Sequence, residues 1–182
     1  MGTPDAGPPR VVVGVRDSET ARWALAAAIG EARLRGMPLL IVHVAPMPQP
    51  VAAAMGGAWS DMIAASRALG ATTLRKVLDD VCCGTPSDIE VRALSMIGDP
   101  GRVLADMARP GDVLVLGRGA RGTLRRLLRP SARRYCARHV KTTLVCVEPP
   151  AVEELLESLR DIEGPPAVRR KQRGPQARDE GF

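Results

Sequence analysis

Apolar residues along this chain fall into two kinds of pattern. Short continuous runs rich in Val, Leu and Ile occur at 10–15 (RVVVGV), 38–45 (PLLIVHVA), 112–117 (DVLVLG) and 142–148 (TTLVCVE). Runs of that length and composition suit strands buried on both faces. A fifth stretch, 88–96 (DIEVRALSM), alternates polar and apolar positions and is expected at a half-exposed place or a sheet edge.

Between these runs the apolar spacing becomes helical. In 18–36, Trp23, Ala27 and Gly30 recur at helical intervals. Ser18 or Asp17 can cap its start, and Gly36 followed by Pro38 gives a stop. From Trp59 to Cys83, Met62, Leu69, Val77 and Val81 share a helical face. Asp99 with Pro100 behind it makes a helix start, because Pro loses nothing at the first helical position. Ala132, Tyr135, Cys136 and His139 stand at i, i+3, i+4 and i+7, which turns Arg133, Arg134 and Arg138 elsewhere. The Pro-, Ala- and Gly-rich residues 46–58 read as a mobile connection.

Strand and helix thus alternate through five strands. That order predicts an α/β fold, a five-stranded parallel sheet with helices on both faces, over residues 10–150. Residues 1–9 are expected to be a flexible N-terminus. Residues 151–163 (AVEELLESLRDIE) form a short acidic amphipathic helix in this reading, and 164–182 a disordered basic tail.

Charge changes the picture in one place. The chain carries +6, yet nine basic residues and no acid lie between Gly117 and Lys141: Arg118, Arg121, Arg125, Arg126, Arg129, Arg133, Arg134, Arg138 and Lys141. Basicity is therefore local. A solvated face, a phosphate site and a polyanion patch all fit it. Two Trp, one Tyr and one Phe offer little base-stacking surface, so nucleic acid ranks last among partners.

Cys82, Cys83, Cys136 and Cys146 form no metal-type spacing and are expected as buried thiols of a reducing compartment. No apolar stretch is long enough to span a membrane, and the start lacks a signal-peptide layout, so a cytoplasmic protein is expected.

Several stretches together resemble the universal stress protein family: VVVGVRDSETARWAL, GMPLLIVHV, GDPGRVLADMA, DVLVLGRGARG and SARRYCARHVKTTLVCVEPP, in that order, over Val11 to Pro150. The resemblance implies the Rossmann-like, adenine-nucleotide-binding type of sheet. Nucleotide-binding members of the family look like G-x-x-G, nine residues, then G-[ST]. Glycines there admit backbone N–H groups to phosphate, and the following helix offers its positive end.

Laid on this chain, the motif falls on Gly117, Ala120, Pro130 and Ser131, with Gly119 as a shifted alternative to Ala120. Ala120 resists positive φ, and Pro130 has no N–H to give. In the family an acidic residue follows the first strand; here Arg16 holds that place and Asp17 the next, where glycine is usual. Arg16 is expected to fill the pocket or pair with an acid, with a phosphate contact as the alternative. Val44 stands where the resemblance implies backbone contacts to adenine. The resemblance also implies a homodimer through the edge strand, Leu144 to Val147, which suits an apolar edge that would otherwise be bare.

No Ser-His-Asp or Cys-His set, P-loop or metal cluster is legible. His43 sits in an apolar strand as a hydrogen-bonded core residue, and His139 has a packed or dipole-stabilised place near a helix end. The expectation is a dimeric, non-enzymatic stress or regulatory protein with an eroded nucleotide site and no cofactor. ATP or AMP binding is the alternative, and a polyanion-binding accessory protein the second.

Overall fold

A computed structural model of the chain describes residues 7–47, 59–118 and 131–150. The chain divides into two units, Met1–Pro149 and Pro150–Phe182, and the fold here is that of the first. The expectations for 151–163 and 164–182 lie outside the described residues, as do residues 48–58 of the connection.

The element order is β1 (Val11–Val15), α1 (Glu19–Arg35), β2 (Leu39–Ala45), α2 (Trp59–Cys82), β3 (Val91–Ile97), α3 (Pro100–Met107), β4 (Val113–Gly117), α4 (Ala132–His139) and β5 (Thr143–Val147). All strand pairs are parallel, in the order β3-β2-β1-β4-β5. The expected sheet is present, with the alternating strand β3 at one edge and β5 at the other. The chain steps outward from β1 to β2 and β3, crosses back, and steps outward again through β4 and β5. The order therefore reverses between β1 and β4, and their carboxyl ends flank a crevice of the kind where such sheets bind ligands.

Side-chain alternation along β1 divides the core into two layers. Val11, Val13 and Val15 meet α1 and α2, while Val12 faces Leu104 of α3 and Cys136 of α4 with Leu40, Val42, Leu114 and Leu116. Burying each such Val or Leu contributes roughly 1.5–3 kcal/mol. At Gly14, on the second face, a Cβ would stand 2.8 Å from Leu104 Cδ1 and 2.9 Å from Leu116 Cδ2, so those side-chain ends would have to shift.

The caps behave as read. Ser18 Oγ accepts from Ala21 N (3.4 Å), Asp99 Oδ1 accepts from Arg102 N (3.0 Å) with Pro100 at the helix start, and Gly36 closes α1 at φ 61°. Two helix faces differ from expectation. On α1 the packed residues are Ala21, Ala24, Leu25, Ala28, Ile29 and Ala32, and Trp23 is 39% exposed. On α2 they are Gly70, Leu74, Val77 and Leu78, with Leu69 69% exposed. Ala and Gly let the helices lie close to the sheet, Leu25, Ile29, Leu74, Val77 and Leu78 fill the space between them, and Trp23 and Leu69 point outward. Nor are the thiols all buried: Cys136 is, Cys82 is half-buried, and Cys83 and Cys146 are exposed.

At the amino end of the sheet one buried residue ties three strands. Asp112, 1% exposed, accepts from Arg10 N (3.1 Å), Arg10 Nε (3.2 Å) and Arg109 N (3.0 Å). Its own carbonyl accepts from Thr142 Oγ1 at the start of β5. This clasp lies at the opposite end from the crevice, so it serves the fold.

Candidate nucleotide site at the switch point

Register brings the predicted site residues to one edge. Gly14 pairs with Leu116 and Val15 with His43, so Arg16, Val44 and Gly117 all follow at the carboxyl ends of β1, β2 and β4. Ser131 opens α4, which runs back from that same end before β5. Gly119, Ala120 and Pro130 lie outside the described residues.

Gly117 has a reason of its own to be glycine. A Cβ there would collide with the carbonyl oxygen of Thr20 and stand 2.9 Å from its carbon. The end of β4 thus abuts the backbone of the first turn of α1, and any side chain would push the two apart. Ser131 is the N-cap of α4, its Oγ accepting from Arg134 N (3.2 Å). The cap uses an acceptor lone pair and leaves the hydroxyl proton able to donate. Arg118 is committed to the sheet: its N donates to Val147 O (2.6 Å), and its guanidinium donates to Glu148 (2.7 Å).

Around β1 the charges are also engaged. Arg16 is exposed directly after the strand. Asp17 does not cap α1; it accepts from Lys76 of α2 (2.7 Å) and from Arg22 of α1 (2.8 Å), and Arg22 continues to Asp80 (2.6 Å). The Lys76 hydrogen bond, then that of Arg22, holds the Asp17 carboxyl below its ordinary value of 3.8. Val44 is half-buried and packs toward the α3 layer.

His43 is as expected, its Nδ1 hydrogen-bonded to Val15 O (3.1 Å). Its ladder partner on β3 is Ser95, whose Oγ is buried without a hydrogen bond. Gly70 of α2 seals both, since a Cβ there would meet Ser95 Oγ and lie 2.9 Å from His43 Cδ2. Ser95 and His43 thus stand side by side beneath the helix, each half-buried. Burial pushes the Cys136 thiol up to about 11, a packed and unreactive state.

Two shallow depressions lie elsewhere, one along α2 over Thr72, Arg75, Lys76, Asp79 and Asp80, the other between α1 and α2 beside Ala26, Ile29 and Cys82. Neither includes a residue predicted for the site. Among the described residues no group of three or more His, Cys, Asp and Glu is placed to hold a metal, and no helix is long and apolar enough to cross a membrane.

Residues 8–148 match the universal stress protein family. The chain belongs to that family. Among solved structures it is similar to universal stress protein UspA from Lactobacillus plantarum, at 18% identity and TM-score 0.58, covering 76% of this chain and 97% of that one. It is likewise similar to a universal stress protein from Archaeoglobus fulgidus, at 22% identity and TM-score 0.52, covering 76% and 98%. A third is a universal stress protein in complex with cAMP, at 22% identity and TM-score 0.53, covering 77% and 96%. These likenesses establish the fold. No curated protein matches the chain.

Three features have no local signal in the residue pattern. Thr20 matters through its backbone carbonyl, which no side-chain pattern reveals. The Asp17–Lys76 contact joins residues 59 positions apart. The close packing of α3 on α4 depends on Gly101, where a Cβ would stand 2.8 Å from Tyr135 Cβ.

Proposed function

We infer that this universal stress protein is a non-enzymatic, cytoplasmic regulatory factor whose mononucleotide site is eroded. One observation carries the reading. The two motif positions retained, Gly117 and Ser131, each have a job in the fold: close approach to Thr20 and the cap of α4. The two that depart, Ala120 and Pro130, are those that a phosphate would need as flexible or N–H-bearing backbone. What remains of the motif is what folding alone would keep.

The protein acts through contacts with other chains. The first is a homodimer through the outer edge of β5, Leu144 to Val147, a strand that among the described residues pairs on one side only.

The rival reading keeps an adenine nucleotide at the crevice. In its favour, the Ser131 hydroxyl can still donate and α4 has no acid in its first turn, while a structural relative holds cAMP. Isothermal titration with ATP, AMP and cAMP, with and without magnesium, decides between them. The eroded site predicts dissociation constants weaker than about 100 μM, less than about 5.5 kcal/mol of binding. Low-micromolar binding weakened by Ser131→Ala supports the rival.

A further inference from the structure

Of the four cysteines in this chain only Cys82 and Cys83 are neighbours, and they stand where α2 ends. The helix α1 ends on Gly36 in the left-handed region, at φ 61°, a place that glycine takes without penalty. The helix α2 ends on Cys83 in that same region, at φ 54°, with its N–H closing the last turn on Asp79 O (3.1 Å). Among the described residues it is the one residue other than glycine with a positive φ. A glycine there would close the helix more easily, so the fold does not ask for this thiol.

Cys82 opens onto a recess of about 230 Å³ between α1 and α2. Ala26, Ile29, Val81 and Pro86 give it apolar walls, and Arg33 stands at it, its guanidinium held on Asp88 by hydrogen bonds of 2.6 and 3.0 Å. Cys83, the next residue, is exposed. Burial raises the Cys82 thiol above its ordinary value of 9.0, against the pull of Arg33, and Cys83 adds to the rise. At neutral pH the thiol is therefore protonated, and chemistry that needs a thiolate, such as disulfide exchange or peroxide oxidation, is held back. Closure of the pair to a disulfide is strained as well, because neighbouring Cα atoms lie about 3.8 Å apart, short of the usual disulfide span. Two protonated thiols side by side are suited instead to condense with a centre that carries two hydroxyls.

We propose that Cys82 and Cys83 form a dithiol site for trivalent arsenic bearing one apolar substituent, with that substituent in the recess. Two As–O bonds break and two As–S bonds form. Each thiol proton leaves with a hydroxyl as water, and no atom changes oxidation state. The arsenic atom bridges sulfurs that lie beside each other without bonding them directly. The apolar walls favour an organic substituent over a third hydroxyl. Neither the crevice between β1 and β4 nor the edge of β5 takes part.

The test is calorimetric titration of the full chain, reduced with a phosphine, against phenylarsine oxide and against arsenite. Phenylarsine oxide, as its dihydroxy hydrate, is expected to bind one to one with a dissociation constant of about 1 μM or tighter. Arsenite should bind at least about tenfold more weakly, having no group for the recess. Cys82→Ala should lose at least about a hundredfold, since the second As–S bond forms within one molecule. Cys83→Gly should lose as much while melting no lower than the parent, which separates loss of the site from loss of the fold. Cys146→Ser should change nothing. Ala26→Glu, at an exposed position on the recess, should weaken phenylarsine oxide about fivefold and leave arsenite as it was. Because no proton is released, affinity should stay level from about pH 6 to about pH 8, where a metal cation displacing two thiol protons would gain about a hundredfold per unit.

The proposal is overturned if phenylarsine oxide does not bind the parent, or if Cys82→Ala or Cys83→Gly binds it as the parent does. It is equally overturned if Cys83→Gly melts lower than the parent, which would give Cys83 a place in the fold. Arsenite binding as tightly as phenylarsine oxide, with Ala26→Glu changing neither, would overturn it too.

Discussion

The layer of α1 and α2 and the helix α4 are both rich in charge and treat it in opposite ways. On the first layer Arg22 bridges Asp17 and Asp80, Lys76 returns to Asp17, and Arg33 grips Asp88 through two hydrogen bonds. Apart from Arg22–Asp17, these pairs join segments distant in sequence, and Arg22, Arg33 and Lys76 are each neutralised where they stand. On α4 the cations share a face without an acid, two of them at the wrong end of the helix dipole. Paired charge in the first layer ties segments together; on α4 Arg133 and Arg134 stand against the helix dipole, while Arg138 in the last turn stands with it. The same division runs through the nucleotide motif, where the positions the fold uses are kept and the others are not.

The largest effect that would sharpen this contrast lies at the buried clasp. Asp112→Ala removes three hydrogen bonds and leaves the Arg10 guanidinium only the Met107 carbonyl as an acceptor, and should lower unfolding stability by about 3–5 kcal/mol in denaturant titrations. A loss below 1 kcal/mol would mean that the clasp is no more than a surface pair.

A smaller effect concerns the exposed network. The Asp17 pKa is depressed in the folded state, so its contribution is present above the unfolded value of 3.8 and lost as pH falls through the lower folded one. Thermal melts from about pH 5 down to about pH 2 should therefore show Asp17→Asn losing less stability on acidification than the parent. Equal acid sensitivity would show that the network holds nothing.

The smallest effect has the opposite sign. Arg134→Glu places an acid in the first turn of α4, and should raise stability by about 0.3–1 kcal/mol. If it destabilises instead, the arginines on α4 belong to the fold and the contrast fails.

Much of the architecture was legible in the residues. Strands with continuous Val and Leu declared themselves, the alternation of 88–96 marked an edge, and Ser18, Asp99 and Gly36 fixed helix ends through local chemistry. What local pattern could not fully reveal was which apolar residues face inward: Val77 and Val81 pack on the core as read, but Trp23 and Leu69 are exposed, and Ala24, Leu25, Ala28, Gly70 and Leu74 take the inner faces. The candidate site was legible as a motif but not as a set of causes. That Gly117 answers to Thr20, and that Asp17 answers to Lys76 rather than to a helix cap, are long-range facts of packing.

The central claim is that ligand-specific backbone has been lost from a crevice the fold still builds. The most direct measurement is ATP titration of the variant Ala120→Gly/Pro130→Gly beside the parent, with thermal melts of both. The account predicts an affinity gain of at least about tenfold, some 1.4 kcal/mol, with stability changed by no more than about 1 kcal/mol. An unchanged affinity, or a parent that already binds ATP at low-micromolar concentration, would contradict it.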